Sequence, residues 1–500
     1  MSLSLPELDS HLFKCADIIR DAVDPTDYKE FILPLVYYKA ISDEYKKQFQ
    51  QNVEKYGDKE LAQRPNLYDV PVVPDGYLWD DLRAVSDNVD QALNEAFDAV
   101  ADANPDLQGV FRADYIDADA LDDDRLGKLV EHLSTHNFDR DSVPPDMLGE
   151  AYMDLVRQFA EEEGKSGGQF FTPPHIVNLC VRLVDDFEDG QTFHDPTVGS
   201  GGMLIEAARY YREAGGDPSK LKFTGQEINP DIAAIAKMNL SIHGLNGEIE
   251  RDDSLSKPAF TDEDENELTR FDRVLANFPF SADWDKDGLQ DDPYERFDWH
   301  EKLPRADRGD YAFIMHMAKQ LKRPDRDGTG GKAAIVIPHG VLFRKHEGRY
   351  RKPMLENDMV EAIVGLPENL FQNVTIPSAV LVLNTDKPTE RSDEVQFIHA
   401  ADEAFYKELS NQNELTEEGL DHTVEKFRNW ENEERVSRTV SLEEIRENDY
   451  NLNIALYVDT TEPEEDIDVT EELAKLRELQ TERDEIESMM TEHMEALNYE

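Results

Sequence analysis

Apolar residues recur at helical spacing near the start of the chain. Between residues 31 and 41 they fall three or four positions apart, and Asp24-Pro25-Thr26-Asp27 supplies a start signal for that helix. A second helical pattern runs from Pro145 to Glu163 and ends at the glycine-rich stretch Gly164 to Gly168. The spacing therefore predicts an α-helical N-terminal domain over residues 1–140.

From residue 141 to about residue 390 the pattern changes, and short apolar runs alternate with helical segments. This alternation is typical of an α/β domain with a doubly wound, Rossmann-like parallel sheet, whose strands are buried on both faces. The predicted strands are Phe193-His194, Phe223-Thr224, Val274 to Ala276, Ala333 to Ile337, Val360 to Val364 and Ala379 to Leu383.

Residues 391–500 are more polar, and we expect them to form a helical, acidic C-terminal tail. An acidic spacer, Glu462 to Asp466, precedes a final helix predicted over about residues 468–498. Its residues at a/d spacing are Leu476, Leu479, Ile486, Met490 and Leu497. Such a stripe packs either on its own domain or on a partner helix, and the sequence leaves both possibilities open.

The charge balance adds to this picture. The chain has 109 acidic and 52 basic residues, a net charge of -57, but its 39% hydrophobic content is enough for packed domains. Acidity spread over the whole length is typical of proteins from a salt-loaded cytosol, so we expect a halophilic host, with an ordinary acidic mesophile as the alternative. No broad basic face for nucleic acid is predicted.

The sequence predicts neither export nor membrane insertion. No N-terminal stretch joins a basic region to a long apolar one, and no apolar run approaches the roughly 18 residues of a membrane span. We therefore expect a cytoplasmic protein. Cys15 and Cys180 lack metal-ligand spacing and a disulfide framework, which predicts two buried, inert thiols and no metal site.

The stretch from Phe271 to Phe280 carries the first candidate chemistry. Asn277 follows the predicted strand Val274 to Ala276, and open α/β sheets bind ligands outside such strand ends. The Asn277 carboxamide and the Phe278 backbone carbonyl could accept both hydrogens of an exocyclic amine, and Phe280 could stack on a flipped-out base. The structural alternative is a strand-ending Asn beside a turn proline, Pro279, with two core phenylalanines.

Three further polar positions end predicted strands. Asp195 to Gly202 joins a strand to a helix, and its glycines allow the backbone to approach a ligand at the helix N-terminus. Glu227 ends the next strand, where a carboxylate could bind both hydroxyls of a ribose, and Asp253 follows. Four polar positions at successive strand ends predict one crevice for a nucleoside-type ligand.

With these motifs the chain resembles, over nearly its whole length, the modification subunit of type I restriction-modification systems, an adenine-N6 DNA methyltransferase. The resemblance implies an S-adenosylmethionine loop that contains Asp195, Pro196, Gly199, Ser200, Gly201 and Gly202. It also implies that Glu227 binds the ribose and that Asp253 lies near the cofactor adenine. The segment that wraps the methionine end resembles Gln169, Phe170, Phe171, Thr172 and Pro173. The catalytic Asn-Pro-Pro-Phe resembles Asn277, Phe278, Pro279 and Phe280.

Phe278 departs from the more usual proline of this family. The implied role belongs to the backbone carbonyl, which every residue has, and Pro279 still restrains Phe278 to an extended conformation, so we expect activity to survive.

The resemblance further implies double-stranded DNA as substrate and a specificity subunit that reads its sequence. A restriction subunit joins them where the system also cleaves DNA. Two alternatives stay open: a protein-glutamine N-methyltransferase, because a similar site serves that amine, and a non-catalytic assembly subunit in which Phe278 has spoiled the site.

Overall fold

The computed structural model describes residues 3–116, 121–162, 171–262, 266–371, 377–402, 404–409, 412–460 and 469–496. Within them the α-helices are α1 (Leu5–Ile19), α2 (Tyr28–Tyr56), α3 (Lys59–Ala62), α4 (Trp79–Arg83), α5 (Val89–Ala103), α6 (Asp123–Leu133), α7 (Pro145–Glu162), α8 (Pro174–Leu183), α9 (Gly202–Glu213), α10 (Pro230–Ile242), α11 (Asp310–Lys319), α12 (Pro324–Asp327), α13 (Gly348–Glu356), α14 (Glu417–Asn429), α15 (Leu442–Glu447) and α16 (Val469–Ala496).

The β-strands of the described residues are β1 (Thr192–Asp195), β2 (Lys222–Glu227), β3 (Gly247–Arg251), β4 (Thr261–Asp262), β5 (Glu267–Leu268), β6 (Arg273–Asn277), β7 (Lys332–Pro338), β8 (Val360–Gly365), β9 (Ser378–Asn384), β10 (Glu394–His399), β11 (Tyr406–Glu408), β12 (Asn413–Leu415) and β13 (Ser437–Ser441). The chain divides into two compact units, residues 1–458 and 459–500.

Helices α1 to α6 form the first packed region of the chain, as the helical spacing predicted. The longest, α2, starts directly after the predicted signal, with Asp27 at its N-cap. The apolar faces of these helices share one core with α7 and α10, to which Tyr152 and Ile235 contribute. This shared core holds α7 and α10 beside the sheet. Cys15 lies in it as a free thiol whose pKa burial raises to about 12, and Cys180 is also buried and free.

Nine strands of the described chain form the main sheet, in the order β13-β10-β8-β9-β7-β6-β1-β2-β3. All six predicted strands are present, but the sheet is mixed, so the prediction of a parallel sheet is correct only in part. Strand β9 runs antiparallel to β7 and β8, and β13 runs antiparallel to β10. A central antiparallel strand buried on both faces has the same continuous apolar pattern as a parallel one, so hydropathy alone cannot give its direction.

Helices cover both faces of this sheet. In β6, Leu275 points into a core shared with α8, α9 and α14, whereas Val274 and Ala276 point into the opposite core with α11, α13 and α15. The period-two alternation of strand side chains produces these two cores. The result is the doubly wound α/β architecture that the sequence predicted.

The second unit contains α16. Its side chains Leu476, Leu479, Ile486 and Met490 are 51–62% exposed. Leu497 and the acidic spacer fall outside the described residues. None of the helices in the described ranges combines the length and apolar character that a membrane crossing needs. The domain boundary near residue 140 and the partner-binding role of the last helix stay predictions. The prediction of a helical tail from residue 391 onward is wrong in part, because β10 and β13 belong to the main sheet.

Candidate active site

The carboxyl ends of four neighbouring strands meet at one crevice. Strands β3, β2, β1 and β6 lie side by side and parallel, and they end at or just before Asp253, Glu227, Asp195 and Asn277. The chain builds the sheet outward on one side of β1 and then on the other, and such a switch point is where open α/β sheets bind ligands. A cavity of about 1020 Å³ opens there, which is large enough for a nucleoside-type ligand together with a base.

Most of the predicted site residues lie in the wall of this cavity. They are Phe171, Thr172, Asp195, Pro196, Gly199, Ser200, Gly202, Glu227, Asp253, Asn277 and Pro279. The four predicted residues that are described but are not part of this wall are Pro173, Gly201, Phe278 and Phe280. Gln169 and Phe170 fall outside the described residues, as do Glu163 and the glycine-rich stretch after it.

The turn between β1 and α9 needs its glycines for conformation and for packing. Gly199 and Gly201 have φ angles of +53° and +88°, a region that other residues rarely adopt. A Cβ on Gly201 would also come within 2.7 Å of Leu240 Cδ1 on α10. From the same helix, the buried Asn239 donates its Nδ2 to the carbonyl of Ser200 at 2.8 Å. Helix α10 therefore holds this turn in shape at the edge of the cavity.

Two buried carboxyl groups flank the glycine turn. The two oxygens of Glu227 accept the backbone N–H groups of Gly199 at 3.1 Å and of Asn229 at 2.8 Å. Each oxygen keeps a second lone pair, so this carboxylate can still accept hydroxyl donors. Burial raises the pKa of Glu227. Burial, with a smaller contribution from the charge of Glu227, raises the pKa of Asp195 to about 8, although a hydrogen bond from Thr197 opposes this shift.

Thr172 orients the carboxamide of Asn277. The Asn277 Nδ2 donates to Thr172 Oγ1 at 3.0 Å, and none of the described residues donates to Asn277 Oδ1. The amide nitrogen is thus engaged by the protein while the amide oxygen is left to accept a donor from a ligand. This orientation suits an acceptor for the hydrogen of an amine.

The ring of Phe278 belongs to the protein core. It is 2% exposed and stacks on Phe313, with ring centroids 5.2 Å apart and planes 16° apart. Phe280 packs edge-on against Phe278 at 5.9 Å and against Phe371 at 6.1 Å. The unusual residue at position 278 therefore contributes packing, and it does not place its ring in the cavity wall.

A buried aspartate holds the loop that follows Phe280. Asp310, fully buried at the start of α11, accepts the N–H of Ser281 at 2.6 Å and pairs with Arg344 at 2.7 Å. Ser281 has φ +52°, an uncommon conformation for serine, so the loop depends on contacts of this kind. Neither Asp310 nor Asn239 was predicted from the sequence. An acid at a helix start is an ordinary feature. Asn239, in contrast, falls at helical spacing from Ile235 and Ile242, and a polar residue on the apolar face of a helix is a usable signal.

Comparison with known proteins identifies the family. The model of the N-6 DNA Methylase family matches residues 143–466, and that of the HsdM N-terminal domain matches residues 8–133. The type I restriction enzyme MjaVII methylase subunit of Methanocaldococcus jannaschii is 34% identical over 94% of this chain and 81% of that relative. The chain belongs to the methylase subunits of type I restriction enzymes. The family resemblance found from the sequence is thereby confirmed.

Other type I methylase subunits agree in sequence and in fold. The MjaVIII methylase subunit of the same organism is 30% identical over 97% of this chain and 83% of that relative. The crystal structure of a type I restriction-modification system methyltransferase subunit from Streptococcus thermophilus matches with a TM-score of 0.77 and 29% identity. That match covers 91% of this chain and 100% of the other. As in the family, this chain joins an N-terminal helical region to an N6-adenine DNA methyltransferase fold.

The contact between Thr172 and Asn277 gives the first testable prediction. Thr172→Val removes the acceptor of the Asn277 amide while keeping the side chain's size. We expect single-turnover methylation to fall roughly 3- to 10-fold, because a neutral hydrogen bond contributes about 1 kcal/mol. Thr172→Ser keeps the hydroxyl and should methylate at close to the wild-type rate. Equal rates for the two variants, with equal cofactor affinity, would mean that this contact does not orient the carboxamide.

Proposed function

We propose that this chain transfers the methyl group of S-adenosylmethionine to N6 of an adenine that has been flipped out of duplex DNA. The observation that carries the proposal is the Asn277 carboxamide, held by Thr172 in the wall of the same cavity that the glycine turn and Glu227 line. When bound, S-adenosylmethionine supplies an electrophilic methyl group. The residues of the chain supply binding, orientation and charge stabilisation.

The cavity wall fits the cofactor. The carboxylate of Glu227 has lone pairs left for the ribose hydroxyls, and its burial strengthens such hydrogen bonds. The glycine turn brings the backbone close to the ligand at the N-terminus of α9. Residues other than glycine would strain the backbone at the positive φ angles of this turn. Phe171, Thr172 and Asp253 complete the proposed cofactor site at the cavity wall.

The amine of the target adenine would bind between two acceptors. Asn277 Oδ1 and the Phe278 carbonyl accept its two hydrogens, which draws the nitrogen lone pair out of conjugation with the ring. The same acceptors stabilise the positive charge that develops on the nitrogen as the new bond forms. Phe280 would stack on the base. Because Phe280 now packs against Phe278 and Phe371, this role includes a movement of its ring toward the cavity.

Sequence recognition is assigned to other subunits. A net charge of -57 leaves few cations to neutralise phosphates along a long site. We therefore propose that a specificity subunit binds the duplex and positions the adenine over the cavity, and that a restriction subunit joins the complex where the system also cleaves. The proposed transfer uses no metal.

This proposal is tested by identifying the molecule that accepts the methyl group. The chain and its specificity subunit are incubated with unmethylated host DNA, host protein extract and S-adenosylmethionine that carries a labelled methyl group. The proposal predicts label in the DNA fraction, recovered as N6-methyladenine after digestion to nucleosides. Label in glutamine of the protein fraction would favour the protein methyltransferase. Cofactor binding without transfer to either fraction would favour the non-catalytic assembly subunit.

Glu227 provides a second prediction. Glu227→Ala should weaken S-adenosylmethionine binding by about 1.5 to 3 kcal/mol, the range for hydrogen bonds to a charged group. Because Glu227 also accepts two backbone N–H groups, this variant should lose some thermal stability as well. Glu227→Gln keeps one oxygen acceptor and should show a smaller loss of both. Calorimetric titration of each folded variant measures the affinity, and an unchanged dissociation constant would place Glu227 outside the cofactor site.

A further inference from the structure

Positive charge concentrates in one short segment of this acidic chain. Residues 344–352 contain five Arg or Lys residues and a single Glu, within a chain of net charge -57. The fold brings a second basic segment to the same place: Arg344 pairs with Asp310, and Arg305 and Arg308 lie just before Asp310 in the chain. We call Arg308, Arg344, Lys345 and Arg349 the basic patch.

Part of this charge is not neutralised by neighbouring carboxylates. Arg344 pairs with Asp310, and Arg305 pairs with Asp307 outside the patch. Within the part of the chain that the structure describes, Arg308, Lys345 and Arg349 form no ion pair, and the buried Nε of Arg308 has no hydrogen-bond partner. Lys345 is exposed. These three side chains are therefore able to bind an external anion.

The basic patch lies next to the loop that follows the catalytic motif. In that loop, Trp284 donates its backbone N–H to the carbonyl of Ala306 and its Nε1 to the carbonyl of Arg305, both at 2.8 Å. Gly309 donates its N–H to the carbonyl of Ala282 at 2.9 Å. Ala282 and Trp284 also line the cavity. One loop thus separates the patch from the place where a flipped base would bind.

We propose that the basic patch binds backbone phosphates of duplex DNA beside the flipped adenine, which rests on the proposed function. A base that enters the cavity remains attached to its own strand, so the phosphates on either side of it must pass close to this loop. Asp283 and Asp285 in the cavity wall repel phosphates, and cations nearby are needed to offset that repulsion. Arginine and lysine are the side chains that neutralise phosphates.

The test uses the full chain assembled with its specificity subunit and a short labelled duplex of mixed sequence. In the patch variant, Lys345→Glu is combined with Arg349→Glu. We expect its affinity for the duplex to fall roughly tenfold or more at ~0.1 M salt, and the slope of log affinity against log salt to become shallower by about two. Fluorescence anisotropy at several salt concentrations measures both quantities.

The matched control combines Lys59→Glu with Lys222→Glu, which changes the net charge by the same amount. Both lysines are exposed, and Lys222 starts β2 at the opposite edge of the sheet from the crevice. We expect this variant to bind the duplex with the wild-type affinity and salt dependence. If this variant lost as much affinity as the patch variant, net charge alone would explain the loss, and the proposal would be overturned.

Methylation rates distinguish a failure of this proposal from a failure of the proposed function. The patch variant should need more DNA for half-maximal rate, while its single-turnover rate at saturating DNA and its cofactor affinity stay unchanged. Wild-type affinity and salt dependence in the patch variant would overturn the proposal. Loss of copurification with the specificity subunit at unchanged DNA affinity would also overturn it, because the patch would then bind a protein. If the wild-type complex binds DNA through the basic patch but methylates nothing, the proposed function is wrong. The proposal that the patch binds phosphates is then still supported.

Discussion

Asn277→Ala is expected to bind S-adenosylmethionine with unchanged affinity and to lose roughly 100-fold or more in single-turnover methylation. This is about the scale for removing a positioned acceptor that acts on a developing charge or a transferring proton. The fold should tolerate the change, because Asn277 is only partly buried at the strand end, and among the described residues its side chain forms one hydrogen bond, to Thr172. Calorimetry gives the cofactor affinity, and rapid quenching gives the rate.

Phe278→Pro is the matched variant, because it changes the side chain and keeps the carbonyl. Proline fixes φ near the extended value that Pro279 already favours at this position. We expect a near wild-type rate per folded molecule. We also expect a loss of about 2 to 4 kcal/mol in stability, because the Phe278 ring fills the core against Phe313. If folded Phe278→Pro were as inactive as Asn277→Ala while binding cofactor, the ring itself would take part in the reaction.

Deleting the chain from Val469 onward is expected to abolish methylation and leave cofactor binding intact. All of the cavity wall lies in the unit that spans residues 1–458, which this deletion spares. Helix α16 carries a stripe of exposed apolar side chains, the type of surface that a partner helix covers. Without it, the chain should no longer copurify with its specificity subunit.

Point variants of α16 distinguish the stripe from the helix as a whole. Leu479→Ser combined with Ile486→Ser removes two residues of the stripe, and Glu478→Ser combined with Glu485→Ser changes their polar neighbours. We expect only the first pair to lose copurification and methylation. A truncated chain that still copurifies and methylates would limit α16 to a local role.

Much of the site could be predicted because its side chains stand where apolar runs end. Asp195, Glu227 and Asn277 each follow a strand recognisable from local hydropathy, and parallel strands bring such ends to one edge. The bounds of strand β3, whose end was inferred only from Asp253, could not be predicted because it lies at the sheet edge with only Ile249 buried. The antiparallel direction of β9 was missed because burial on both faces gives the same pattern in either direction.

Contacts between distant segments could not be predicted from local patterns. Thr172 was assigned to the cofactor by resemblance, and its hydrogen bond to Asn277 depends on the tertiary fold. The hydrogen bond from the Ser281 N–H to Asp310 likewise joins segments that are distant in the sequence. Composition showed the overall acidity of the chain but not the basic patch, because Arg308 belongs to a different segment from the other patch residues. A salt-rich host stays a prediction from charge alone.

Base-resolved mapping of methylated adenine in DNA shows whether the Asn277 site methylates adenine at N6. Unmethylated host DNA is incubated with S-adenosylmethionine and the chain in complex with its specificity subunit, in parallel with the Asn277→Ala complex. We expect N6-methyladenine at one recurring sequence with the wild-type complex and almost none with the variant. Methyl groups on cytosine, or equal adenine methylation by both complexes, would contradict this expectation.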